Sequence, residues 1–155
     1  MNRSSHSRLN ASRMNDKNKD LKDRTKQFSL RVIRLVEALP SNRTCNVIGH
    51  QLLRAGTSVG ANYRAECRAK SPADFIFKVG IVEEEADESA FWIELLMDVG
   101  CVKPGKVEPL HDEACQLTAV MVASARTARA TRSDYSSRKR IDLNNSALRT
   151  PHSAF

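Results

Sequence analysis

The chain has 155 residues, a formal net charge of +7, 28% charged residues and only 5% aromatics. That length builds one domain with its own core, and many charges with few aromatics favour helices over sheets. No window approaches the ~20 apolar residues of a membrane span, and the first 20 residues lack an apolar signal-peptide core. Cytoplasmic residence without membrane contact is therefore expected.

The charge is uneven. Residues 1–20 hold five Lys/Arg against two Asp, and residues 131–155 again five against two, so each end carries +3 and the remaining residues only +1. Four cysteines stand at 45, 67, 101 and 115. No two have CxxC spacing and none is read as having a His at ligand spacing, so neither a metal nor another cofactor is expected. This cysteine pattern suits a reducing cytosol.

Residues 1–19 are rich in Ser, Asn, Arg and Lys and are read as a disordered basic tail. A four-helix bundle is expected over 20–130, followed by a second disordered basic tail over 131–155. The first helix is predicted from Leu21 to Leu39, with Phe28, Val32, Leu35 and Val36 as its apolar stripe and Pro40 as its stop. Ser41 or Thr44 offers the next N-cap. The second helix is predicted from Cys45 to Ala69. Gly49, Gly56 and Gly60 lie inside it and leave a thin face, suited either to tight intramolecular packing or to a subunit contact. Ser71-Pro72-Ala73-Asp74 then gives a capping Ser, Pro at N1 and an acid at N3. The third helix runs to Val99, with Gly100 as its C-cap signal. Lys103-Pro104-Gly105 is a loop, and the fourth helix is predicted from Lys106 to Ala130. Short connections between helices of matched length imply an up-down antiparallel four-helix bundle, all-α throughout.

Polar residues fall at unusual places in the two central helices. Arg54, Ser58, Asn62 and Glu66 recur every four residues, which suggests one stacked polar side. The third helix mixes many acids with Phe75, Phe77, Val79, Val82, Phe91, Trp92 and Leu96. Pairing of Arg54, Ser58 and Asn62 with Glu85 and Glu88 across the helix interface is expected, because a half-satisfied buried polar group costs about 1–3 kcal/mol.

Two of these segments resemble a known family. Arg54-Ala55-Gly56-Thr57-Ser58-Val59-Gly60-Ala61-Asn62-Tyr63 is similar to the R-A-x-x-S-[IV]-x-x-N pattern of the four-helix bundle protein family, also called the 23S rRNA intervening-sequence protein family. Asp74-Phe75, Glu85-Ala86-Asp87-Glu88 and Trp92-Ile93-Glu94-Leu95-Leu96 resemble its third helix. The family commonly has an acid three residues after the Asn; here that place is Ala65, and Glu66 follows. The resemblance spans about residues 20–125. It implies an up-down bundle, a ring-like homopentamer and no established catalytic activity. Related accessory proteins of diversity-generating retroelements bind nucleic acid and a reverse transcriptase.

No catalytic site is expected, since His50 and His111 lack a nucleophile elbow or Gly-rich loop. Paired Glu-x-x-His motifs of a di-iron bundle are also missing. Trp92 beside Phe91 is either a base-stacking platform or part of the core or a subunit interface. The leading expectation is a non-enzymatic, homo-oligomeric bundle that binds RNA or DNA through phosphate contacts. The contact residues would be Lys22, Arg24, Lys26, Arg31, Arg34, Arg126, Arg129, Arg132, Arg138, Lys139 and Arg140. The alternative is a protein–protein interaction scaffold whose basic ends only solubilise.

Overall fold

A computed structural model of the chain describes the backbone of residues 3–147 and the side chains of residues 19–133, 135 and 137. The elements are α1 (Arg3–Glu37), α2 (Arg43–Glu66), α3 (Pro72–Asp98) and α4 (Pro104–Ala147). The architecture is the all-α four-helix bundle expected from the sequence: α1 packs on α2, α2 on α3 and α3 on α4, while α1 touches α4 least.

The outer helices are longer than the sequence reading gave. The segments read as disordered tails are helical from Arg3 onwards and through Ala147. The physical reason is local. Neither Gly nor Pro occurs from Met1 to Leu39, or from Leu110 to Ala147, so nothing interrupts the i→i−4 ladder. A lack of apolar residues argues against a core, not against a helix. The ends of the expected tails, 1–2 and 148–155, lie outside the described residues.

The helix ends follow ordinary capping chemistry. α2 is capped by Asn42 rather than Ser41 or Thr44, its Oδ1 accepting from the Cys45 N–H at 2.9 Å. Ser71 Oγ accepts from the Asp74 N–H at 3.1 Å, and Asp74 Oδ2 accepts from the Lys70 N–H at 2.9 Å. At the end of α3 the Gly100 N–H bonds Met97 O (3.0 Å) and the Cys101 N–H bonds Leu96 O (2.9 Å), with Gly100 at φ 72°. That pair of bonds is the Schellman motif, which needs a left-handed residue where Gly100 stands.

The core is a continuous stack of Phe28 and Val32 from α1, Leu52, Val59 and Tyr63 from α2, Val79, Val82, Ile93 and Leu96 from α3, and Leu117 and Met121 from α4. At its closed end a disulfide joins Cys45, at the start of α2, to Cys101, just after α3, with Cα atoms 5.8 Å apart. This corrects the reading of the cysteines as fitting a reducing cytosol. The partners are 56 residues apart in sequence, so only the α2–α3 hairpin brings them together. Loop closure of that size is worth up to about 4 kcal/mol through the unfolded chain.

The thin glycine face of α2 is used inside the chain. A Cβ on Gly56 would lie 2.7 Å from Val32 Cγ2 and 3.0 Å from Val32 Cβ, and one on Gly60 would meet Ser29 Oγ at 2.8 Å and the Thr25 carbonyl at 3.3 Å. Ser29 Oγ also donates to Gly56 O at 2.7 Å. Of the two uses open for this face, tight intramolecular packing is the one realised. A Cβ on Gly80, by contrast, would have no neighbour within 4 Å. Gly56→Ala should therefore destabilise the fold by about 1–3 kcal/mol through overpacking against the stiff Val32. Gly80→Ala should stabilise it by about 0.5–1 kcal/mol. Thermal melts of the two variants check this, and shifts of the same sign would contradict the assignment.

Candidate nucleic-acid interface

The glycine contacts fix a register. Gly49 meets Val36 and Leu39, Gly56 meets Val32, and Gly60 meets Thr25 and Ser29. Continuing that antiparallel register brings the end of α2 level with the neighbourhood of Leu21, so the first part of α1 runs on past it. α4 runs on at the same end, since Ala147 lies 12 residues beyond Tyr135, about 18 Å at ~1.5 Å per residue. The two basic ends of the sequence thus leave the bundle together, at the end that holds the α2–α3 turn.

Where they leave, α1, α3 and α4 enclose a groove of about 990 Å³ lined by residues that include Leu21, Pro72, Phe75, Val120, Thr127 and Tyr135. Its volume falls within the ~300–1,000 Å³ of typical small-molecule sites. Leu21, Phe75 and Val120 are half-buried against the core, whereas the Tyr135 ring is 70% exposed. Nothing in the periodicity announces this groove. It arises because α1 and α4 barely touch, so their facing apolar residues are left open.

The predicted phosphate-contacting residues divide. Lys22 and Lys26 on α1 share the groove end with Arg126, Arg129 and Arg132 on α4, where Lys26 and the three arginines are exposed. Arg31 and Arg34 sit further toward the closed end. Arg24 is committed to the fold: its Nε donates to Glu113 Oε1 at 2.7 Å, and its Nη2 donates to Glu113 Oε2 (3.2 Å) and Gln116 Oε1 (2.8 Å), tying α1 to α4. That bond to Glu113 holds the Arg24 pKa above its ordinary value. The side chains of Arg138, Lys139 and Arg140 lie outside the described residues; their backbone belongs to α4.

The polar stripe pairs only in part. Arg54 Nη2 donates to Glu88 Oε1, which also accepts from Trp92 Nε1 at 2.9 Å. The Trp92 bond first, then Arg54, holds the Glu88 carboxyl below its ordinary pKa, while burial pushes Glu85 up. Glu85 Oε2 is buried without a hydrogen bond and lies 3.9 Å from Arg54 Nη1. Ser58 and Asn62 are half-buried and bond neither carboxylate among the described residues. Trp92 is itself half-buried, with Phe91 edge-on at 5.0 Å.

Glu66 does not belong to that stripe, which corrects the sequence reading. Each step of four residues advances about 40° around a helix, so three steps from Arg54 turn Glu66 by about 120°. It lands beside Tyr63 on the core side, 5% exposed, with Oε2 unbonded. Burial raises its pKa from 4.5 to about 7, and burial first, then the Glu66 carboxylate, pushes Tyr63 and Cys67 up. The spacing 59, 63, 66 carried this signal. The folded chain then binds the Glu66 proton more tightly than the unfolded one, so this stabilisation is complete below pH ~4.5 and is lost as pH rises through ~7. Glu66→Gln should match the parent near pH 4 and exceed its stability by about 1–3 kcal/mol at pH 8. Denaturant titrations at both pH values check this; a constant difference would refute it.

One cysteine also departs from the sequence reading. His111 stands four residues before Cys115, and its Nε2 lies 3.9 Å from the sulfur and 2.8 Å from Glu94 Oε1. Burial, then Glu94, Asp112 and Asp87, push the Cys115 thiol up, away from a nucleophilic thiolate. Among the described residues no group of three or more His, Cys, Asp or Glu side chains is placed to hold a metal ion. No described helix is long and apolar enough to cross a membrane.

Four packed helices with two basic, helical ends emerging together beside an apolar groove place the chain among the small all-α four-helix bundles. Residues 17–123 match the 23S rRNA-intervening sequence protein family, and the chain belongs to that family. A crystal structure of a protein of unknown function from the S23 ribosomal protein family of Bacteroides thetaiotaomicron is similar, with 31% identity and a TM-score of 0.66 over 71% of this chain and 98% of that one. No protein with a curated description matches.

Proposed function

We propose that this protein is a non-enzymatic, homo-oligomeric bundle that binds nucleic acid through phosphate contacts. The observation that carries the reading is the convergence of two basic helical segments, formally +3 over residues 3–20 and +2 over residues 131–147, at one end of the bundle. Lys22, Lys26, Arg126, Arg129 and Arg132 belong to the same end, whereas Arg24 serves the fold. The family's description, a 23S rRNA-intervening sequence protein, favours RNA and a role beside an rRNA-related complex. Log affinity should fall linearly with log salt, because each neutralised phosphate releases a counterion. Replacing Arg126 and Arg129 with Ala should weaken RNA and duplex DNA alike and lower the salt slope by about 2. Fluorescence anisotropy from 50 to 300 mM salt reads both, and absence of binding at the lowest salt would end the proposal.

A specific observation supports self-association. α3 exposes Phe77 (68%) and Phe91 (49%), which stand four turns apart on nearly the same side of the helix. Exposed Glu84, Asp87 and Glu94 accompany them, while the exposed part of α2 carries His50, Arg54 and Arg64, with Arg68 in the turn that follows. An acidic, aromatic surface on one helix and a basic one on its neighbour favour a head-to-tail contact between copies, which closes into a ring. The same surfaces would serve the scaffold reading. Light scattering should give a multiple of 17.3 kDa, and Phe77→Glu with Phe91→Glu should shift it toward the single chain. A wild-type mass near one chain at every concentration would exclude the ring.

A further inference from the structure

The groove at the open end is more apolar than its residue types suggest. Its hydroxyls are turned into their own helix: Ser124 Oγ donates to Val120 O (2.8 Å), Thr127 Oγ1 to Ala123 O (3.0 Å) and Thr131 Oγ1 to Thr127 O (3.0 Å). Their carbon faces are left to line the wall, between the half-buried Phe75 ring and the exposed Tyr135 ring. Lys22, Lys26, Arg126 and Arg129 stand at this end of the bundle. By sequence, residues 3–20 carry five basic and two acidic side chains, and residues 131–147 four basic and two acidic.

We infer that this groove takes the unpaired bases of single-stranded nucleic acid, with the cations at this end of the bundle holding the phosphates. The inference rests on the nucleic-acid reading above and adds the form of the ligand. Charge complementarity selects a polyanion, and the apolar slot selects one whose planar faces are free. A duplex keeps those faces inside its stack, so it can use the cationic ends but not the groove. An apolar protein helix would fill the slot and leave the surrounding cations without a complementary partner. Because the Ser124, Thr127 and Thr131 hydroxyls already donate to backbone carbonyls, they offer base edges no free hydroxyl proton. Binding should accordingly tolerate any sequence, as stacking sites do.

Tyr135→Ala and Thr127→Trp test this in the full-length protein, the first removing the stacking ring and the second filling the slot. Both positions are exposed, and circular dichroism confirms that each variant keeps its helices. Anisotropy at one low salt concentration compares a 20-nucleotide strand, its duplex and an abasic strand of equal length. Each variant should weaken the intact strand about tenfold, with duplex and abasic affinities changed by less than about twofold. Equal effects on all three ligands, or none, would overturn the groove assignment while leaving the phosphate reading intact. Failure of the wild type to bind any of the three would remove both. Loss of a stoichiometric co-purifying protein from Tyr135→Ala, with oligonucleotide binding unchanged, would assign the groove to a protein partner and overturn the inference.

Discussion

The rest of the molecule depends on how closely α1 lies against α2. Gly56 and Gly60 remove the side chains that would hold the two helices apart, and Val32, Thr25 and Ser29 fill the space. Each glycine costs a helix about 0.5–1 kcal/mol, and the close packing and the Ser29 to Gly56 bond offset that cost. The contact also sets register. With Val32 seated over Gly56, Phe28 falls into the core and Leu21 reaches the lip of the groove. A slip of one turn would place Val32 against Leu52 or Gly60 and lose both fits.

That placement leaves α1 and α4 as the weakest of the four contacting helix pairs. Arg24, bonded to Glu113 and Gln116, is the main polar tie between them among the described residues. Beyond it, toward the α2–α3 turn, apolar positions of α1 and α4 line the walls of an open slot. The closed end is the opposite case, pinned by the Cys45–Cys101 disulfide, the Asn42 cap and the Gly100 turn. The bundle is therefore tight at one end and open at the other, and its basic extensions lie on the open end. Charge and accessible apolar surface coincide there because of packing, since neither is local to one stretch of sequence.

The polar residues inside the bundle are graded by burial. Arg54 is exposed and its pair with Glu88 is screened by water, so its contribution to stability is small. Glu85 is deeper and keeps one oxygen unbonded, and Glu66 is deeper still, with its proton held to about pH 7. The cost of these carboxylates rises as their partners thin out, in keeping with the general penalty for unpaired buried charge. Ser58 and Asn62 stand between them on α2, half-exposed and without an α3 carboxylate partner.

Much of the fold was legible in the residues. Helix class, the four elements, the Ser71 cap, the Gly100 stop and most of the core follow from spacing and turn chemistry, because these are interactions over three or four residues. The helical extensions of α1 and α4 were missed because composition reports on cores, whereas a helix already begun can run on past its core where no Gly or Pro breaks it. Glu66 was misassigned because a four-residue repeat drifts around a 3.6-residue helix. The Cys45–Cys101 bridge, the Arg24–Glu113 tie, the use of the glycine face inside the chain and the groove between α1 and α4 were decided by tertiary structure alone. Each joins residues ten or more positions apart, and only the register of one helix on another determines which of them meet.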